Sequence, residues 1–368
     1  MNISNPKAES AAIVNIADIS SGNTIDLRSD TVTKPTSAMY SRMAAAPLGD
    51  DGLDGDPTVI ELEILAAEAL GKEASLFVAS CTMANLLATL IHAERNAQVL
   101  VEAQAHMYMS ERGAATFTGA FYAPIPGTLG AMDLDLLRAA LEGSGSKLRT
   151  SMTALETSHN NAAGAVLPLD HMAAVKKLAT GGNVSVHLDG ARLFNAAVHL
   201  GVAPSHIAEY ADSVSLCLSK GLSAPVGAIL AGSHTAMARA RKLRKMIGGQ
   251  QRQAGIVAAA GIEAVLVMGT RLGEDHARAK RLSDLLNGVH PQLTATIPQT
   301  NILQVDIAAT GKTASEWVAA LAAQGLLVRP WANKRLRCVT HRHITDEDIQ
   351  RAYEAFRAVS ADLNNSCP

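Results

Sequence analysis

Cysteine is scarce in this chain. The four present, Cys81, Cys217, Cys338 and Cys367, are scattered and show no CxxC spacing. That excludes a disulfide framework or a zinc site of the usual pattern, and a reducing cytoplasm fits. A surplus of one charge is also lacking. The formal net charge is −2, which removes the electrostatic case for nucleic acid or an anionic membrane surface as a partner. No apolar run approaches the roughly 20 residues that a membrane span requires. The N-terminus, MNISNPKAESAAIVNIADISSGN, carries acids early and has no basic region ahead of an apolar core, which argues against a signal peptide. There is no internal repeat, and no G-x-S-x-G elbow turns the polar cluster Glu156, Ser158, His159 and Asn160 into a hydrolase triad.

What is there describes a globular protein with ample core: 48% hydrophobic and 18% charged residues in a chain of 368. That length suits one large and one smaller domain. Residues 1–24 read as an N-terminal extension, 25–255 as the large domain and 256–368 as a smaller C-terminal α+β domain. The stretch around which the rest is organised runs from Val184 to Pro225. It reads as strand, turn, helix and strand, with Asp189 closing the first strand and Lys220 following the second. Open α/β sheets bind ligands at the carboxyl ends of their strands. An acid and a lysine placed there match the needs of pyridoxal phosphate: a lysine to form the imine and a carboxylate to keep the ring nitrogen protonated. Taken singly, Lys220 is an ordinary surface lysine and Asp189 an ordinary helix cap.

The remaining requirements have candidates. Ser80, Cys81 and Thr82 open an amphipathic helix, where free N–H groups and the helix dipole favour an anion such as phosphate. His106 follows a strand and supplies a flat ring at the same sheet edge. Arg192 or Arg337 can grip a substrate carboxylate with two prongs. In IDLRSDTVTKPT, Arg28, Ser29 and Asp30 read either as a capped turn or as part of a site. The loop PLGDDGLDGDPT lacks the spacing of a calcium loop. Thr58 and Glu61 are expected to form the capping box of the next helix, with Gly71 as its stop. The basic run Arg239, Arg241, Lys242, Arg244 and Lys245 reads as a solvated helix face, and Arg252 follows a Gly-Gly break that can aim it at an anion. Thr345 with Asp348 is expected to cap the last helix.

These motifs, namely DLRSDTVTKPT, GDD…GDPT, GKEA, SHN…VLPL, HLDGARLFNA, SLCLSKGL, RQAGI and VTH, resemble the threonine aldolase branch of the β-eliminating lyases from about Ile25 to the end of the chain. The resemblance implies an α/β, fold-type I enzyme with a mostly parallel central sheet and pyridoxal phosphate as cofactor. It implies Lys220 as the Schiff-base lysine, Asp189 on the ring nitrogen, and His106 as both ring cover and candidate base. Cys81 and Thr82 would hold the phosphate, and Ser29, Arg192 and Arg337 the substrate carboxylate. Arg252 and Lys245 would reach an active site shared between subunits in a dimer of dimers. The implied reaction splits a β-hydroxy-α-amino acid into glycine and an aldehyde. Three departures bear on the substrate. Leu53 stands where an aromatic hydroxyl is usual, Cys81 replaces a glycine, and GSGSKLRT lacks a second histidine. They leave open a different reaction at Cα, such as racemisation of an alanine-type amino acid.

Overall fold

The computed structural model describes residues 24–142 and 148–364. The extension, apart from Thr24, lies outside the described residues, as do Cys367 and most of the GSGSKLRT segment. The strands are β1 (Ile25–Asp26), β2 (Ala74–Val78), β3 (Gln98–Glu102), β4 (Phe121–Ile125), β5 (Gly127–Thr128), β6 (Ala131–Met132), β7 (Thr150–Glu156), β8 (Ser185–Asp189), β9 (Ser213–Cys217) and β10 (Ala228–Gly232). In the C-terminal part they continue as β11 (Thr294–Ala295), β12 (Ile302–Asp306), β13 (Leu326–Leu327), β14 (Arg329–Pro330) and β15 (Arg335–Val339).

Seven strands form the main sheet in the order β2-β10-β9-β8-β7-β3-β4. β4, β3, β7, β8 and β9 pair in parallel, whereas β10 runs antiparallel to both its neighbours. Every residue of β7 and β9 is buried. Such uniform burial is expected of strands covered by helices on both faces. Asp189 closes β8, and Lys220 lies in the turn three residues beyond Cys217, the last residue of β9.

The helix Pro57–Leu70 is capped differently from the expected Thr58–Glu61 box. Asp56 is its N-cap and accepts the N–H groups of Thr58 and Val59 at 3.0 and 3.1 Å. Pro57 decides this. Proline has no N–H to lose at the first helical position, so the cap falls on the residue before it. Gly71 stops the helix in the left-handed conformation at φ 61, as expected. The basic run lies on the helix His234–Met246, but it is not wholly solvated. Arg244 is buried, donating to the Phe77 carbonyl at 2.7 Å and to the Asp51 carboxylate.

The C-terminal part packs β11-β12-β15-β14 under its helices, and β1 joins it by pairing in parallel with β13. The apolar cores therefore part differently from the expected division at 255/256. Ala258, Ile262 and Val265 of the helix Gly255–Leu266 belong to the large core. Ile25 and Leu27 belong to the C-terminal core, which begins within the helix Leu272–Leu286 at Ala279. The last helix, Asp346–Asn364, starts as expected: Thr345 Oγ1 accepts the Asp348 N–H at 3.1 Å, and Asp348 accepts the Thr345 N–H at 2.9 Å. Among the described residues no single helix is long and apolar enough to cross a membrane.

Candidate active site

At the carboxyl ends of β7, β8 and β9 the chain forms a cavity of about 330 Å³, lined among others by Glu156, Asp189, Cys217 and Lys220. That volume lies at the small end of the usual range for ligand sites. Ser29, Cys81, Thr82, His106, Arg192 and Arg337 line the same cavity. Eight of the nine sequence-derived site residues therefore converge. The ninth, Arg252, does not line it; its side chain is 66% exposed and reaches Asp50 at 3.3 Å. Lys245 is also exposed, and Leu53 is 79% exposed.

The turn after β9 is pinned through its backbone. The Lys220 carbonyl accepts from Thr33 Oγ1 at 2.8 Å and from the Ser223 N–H at 2.9 Å. The Lys220 side chain lines the cavity and has no ion-pair or hydrogen-bond partner among the described residues. Asp189 is buried and braced. One carboxylate oxygen accepts the Ala191 N–H at 3.1 Å, and the other accepts from Asn85 Nδ2 at 2.9 Å.

At the start of the helix Cys81–His92, Ser80 is the N-cap and accepts the Met83 N–H at 3.2 Å. The N–H groups of Cys81 and Thr82 have no protein acceptor among the described residues, which is the donor set an anion needs. The Cys81 side chain does not point to that anion site. Its sulfur lies 3.5 Å from Ser215 Oγ and 4.0 Å from Asp189, and burial, followed by the Asp189 charge, pushes its thiol pKa up. The Thr82 hydroxyl donates to Glu111 at 3.2 Å, which leaves its backbone N–H as the donor available to an anion.

His106 begins a short helix, its N–H donating to Glu156 at 2.6 Å and its Nδ1 meeting Glu111 at 2.7 Å. The Glu111 hydrogen bond raises the His106 pKa above the ordinary histidine value and outweighs partial burial, which lowers it. With Nδ1 bonded to a carboxylate, Nε2 is the ring nitrogen left for the cavity.

The two arginines differ in kind. Arg192 is engaged by Asp30 through two bonds of 2.8 and 2.7 Å, both side chains buried. Burial alone would raise the Asp30 pKa. The Arg192 guanidinium, helped by the Lys220 and Arg337 charges, instead holds the carboxyl well below the usual carboxylate range. Arg337 has no carboxylate within ion-pair distance among the described residues. It donates to Asn160 at 2.9 Å, lies over the Trp331 ring at 5.0 Å, and its Nε is buried without a partner. Burial, then the nearby Arg192 charge, pushes Arg337 down to about 9. With its buried Nε unpartnered, Arg337 keeps donor capacity that Arg192, engaged by Asp30, has already spent. Ser29 caps the turn Asp30–Val32 and lines the cavity.

Sequence reasoning missed Glu111, Asn85 and Arg329, all of which line the cavity, and gave Asp30 no partner. Asn85 had one visible signal: it is a polar residue on the apolar side of an amphipathic helix. Glu111 had none.

A cavity-lining lysine without an ion-pair partner among the described residues, a braced acid on the adjacent strand, N–H donors at a helix start and an arginine with a buried, unpartnered Nε together fit pyridoxal phosphate with an amino-acid substrate. Fold and donor set define the class of fold-type I pyridoxal-phosphate enzymes. Residues 26–310 match the family model described as Beta-eliminating lyase. The chain is similar to the low specificity L-threonine aldolase of Escherichia coli K12, at 38% identity over 92% of this chain and 99% of that protein. It is also similar to low-specificity L-threonine aldolase 1 of Arabidopsis thaliana, at 37% identity over 90% and 95%. Among solved structures, a threonine aldolase of Leishmania major superposes with a TM-score of 0.77 at 17% identity, covering 91% of this chain and 99% of that one. A serine palmitoyltransferase of Sphingomonas wittichii superposes with a TM-score of 0.75 at 15% identity, covering 93% and 88%. The chain belongs to the β-eliminating lyase family, in its threonine aldolase branch.

Proposed function

We propose that this protein is a pyridoxal-phosphate-dependent aldolase cleaving β-hydroxy-α-amino acids of the threonine and allo-threonine type to glycine and an aldehyde. The observation that carries this reading is the chain-long identity to enzymes named for threonine cleavage, found in a chain that keeps Lys220 and Asp189 at adjacent strand ends. Bound in the cavity, pyridoxal phosphate supplies a ring that accepts electrons as the Cα–Cβ bond breaks. Lys220 carries the cofactor through its amine, and Asp189 holds the proton on the ring nitrogen. The N–H groups of Cys81 and Thr82 take the phosphate. Arg337, with Ser29, binds the substrate carboxylate, and Arg192 steadies the Asn160 side chain between the two guanidiniums. His106, which lines the cavity, would supply the flat side chain beside the ring, and its Nε2 would take the proton from the β-hydroxyl group. The relatives do not favour the racemase alternative.

The protein is further proposed to be cytoplasmic and to assemble as a dimer of dimers, with Arg252 and Lys245 serving a neighbouring subunit's cavity. Incubation with threonine, allo-threonine and phenylserine should release acetaldehyde or benzaldehyde. Lys220→Ala should remove both that release and the yellow colour of the loaded protein. If no aldehyde forms while solvent deuterium enters alanine Cα with loss of chirality, the aldolase reading fails and racemisation takes its place.

A further inference from the structure

Behind the proposed cofactor-facing acid lies a chain of buried polar groups that the reaction itself does not use. Asn85, 1% exposed in the helix Cys81–His92, makes a full set of bonds. Its Nδ2 donates to Asp189 at 2.9 Å and leans to Glu111 at 3.3 Å. Its Oδ1 accepts from Ser215 Oγ at 2.8 Å and meets His187 Nε2 at 3.0 Å. His187 Nδ1 lies 2.8 Å from Ser213 Oγ, which lies 2.9 Å from His92 Nε2. Asp189, the acid proposed for the ring nitrogen, and Glu111, the acid behind His106, thus share the NH₂ group of one asparagine.

The direction of these bonds follows from chemistry. A carboxylate accepts only, so the Asn85 NH₂ must face the two acids and its carbonyl must face away. The carbonyl then needs donors, and Ser215 Oγ–H and His187 Nε2–H are the two on hand. Burial pushes His187 down to about 3, so the ring stays neutral and carries one proton. With that proton on Nε2, Nδ1 accepts from the Ser213 hydroxyl, whose oxygen in turn accepts from His92. Burial pushes His92 down to about 4, so it too is neutral and has an N–H to give. Every link donates toward Asp189. A flipped Asn85 amide would set its oxygen against two carboxylates and leave buried donors unpaired, at roughly 1–3 kcal/mol for each such group.

We propose that Asn85 is a positioning residue for the cofactor's ring nitrogen, its amide locked by His187 and Ser215 so that Asp189 and Glu111 stay braced as acceptors. The proposal rests on the reading that Asp189 faces that nitrogen. It assigns His187, in the middle of β8, a role that its position in the motif HLDGARLFNA does not disclose.

The test loads each variant with pyridoxal phosphate labelled with ¹⁵N in the ring. It reads the nitrogen chemical shift, which reports whether the nitrogen is protonated, together with the cofactor dissociation constant. Asp189→Ala sets the reference for a lost proton. Asn85→Leu and His187→Leu should shift the signal toward that reference and weaken cofactor binding about tenfold, the size of one lost bond to a charged group. His187→Gln can place an amide N–H where Nε2 stood, so it should stay near the native signal. A merely structural role would not produce that rescue. The proposal is overturned if folded Asn85→Leu keeps the native shift and affinity, or if His187→Gln is as impaired as His187→Leu. A native shift in Asp189→Ala would instead overturn the placement of Asp189 and the inference with it. Ser215→Ala, which removes the other donor to the Asn85 carbonyl, should show a smaller shift of the same sign and replaces His187→Leu should that variant not fold.

Discussion

His106 is held from two sides, by Glu156 at its backbone and by Glu111 at Nδ1, so its free ring nitrogen is fixed in both place and tautomer. If Nε2 takes the substrate's hydroxyl proton, the enzyme needs His106 neutral, and the Glu111 bond postpones that state to higher pH. Glu111→Gln removes the carboxylate, so the acid limb of kcat/KM against pH should move to lower pH. The plateau should also fall, because a weaker base is left. His106→Ala should cost about 10²–10⁴-fold in kcat/KM. Arg337→Gln should raise KM by roughly 10–100-fold with less change in kcat, the pattern of a lost substrate grip worth about 1.5–3 kcal/mol. An unchanged KM would move the carboxylate site elsewhere. Lys220, Asp189, His106 and Arg337 were legible because each carries chemistry that few other residue types supply. Glu111 was not, and Asn85 showed only as a polar residue on the apolar side of its helix. An acid five residues past a histidine and an asparagine inside a helix acquire meaning only when the fold sets them against Asp189.

Elements are tied together by acids that sequence patterns assign to loops. Asp56 caps the helix Pro57–Leu70, and its second oxygen accepts the N–H groups of Gly49 at 3.2 Å and Gly255 at 3.0 Å. One carboxylate thus joins the loop to the starts of two helices. Gly255 has to be glycine, since a Cβ there would lie 2.2 Å from Asp56 Oδ1. Asp56→Ala should destabilise the protein by about 2 kcal/mol or more, the upper range of a lost cap, because three segments lose an acceptor at once. Thermal unfolding at fixed pH reads it. Asp30 does the same for the turn Asp30–Val32 by fixing Arg192. Its pKa is depressed in the folded state, so its contribution is fully present above the unfolded aspartate value of about 3.9 and is lost as pH falls below it. Asp30→Asn should therefore cost roughly 3–5 kcal/mol at neutral pH, as expected when one partner of a buried pair is removed. The gap in Tm between variant and parent should shrink as the pH drops below about 4. A gap constant with pH would mean that the pair is not what stabilises this turn.

On the scale of the whole molecule, alternating strand and helix patterns made the α/β class and the later α+β part readable, because the period of apolar residues survives in any one segment. The way the two parts share the chain was not readable. β1 pairs with β13, and the helix Gly255–Leu266 packs on Pro57–Leu70, both being contacts between distant segments that no local pattern encodes. Arg252 poses the same problem between subunits. It lies outside its own chain's cavity, yet it follows the loop bonds by which Gln250 and Arg252 meet Asp50 and Asp51. If Arg252 completes a neighbour's site, two damaged proteins can repair each other. In a twofold dimer of a Lys220→Ala chain with an Arg252→Ala chain, one site combines both defects, and the other combines an intact Lys220 with an intact Arg252 from its partner. Random reassembly of equal amounts should then recover about a quarter of the native sites, given an isologous pairing. If Arg252 acts only within its own chain, every site retains one defect and mixing recovers nothing. Aldehyde release after co-refolding, compared with each variant refolded alone, distinguishes the two outcomes.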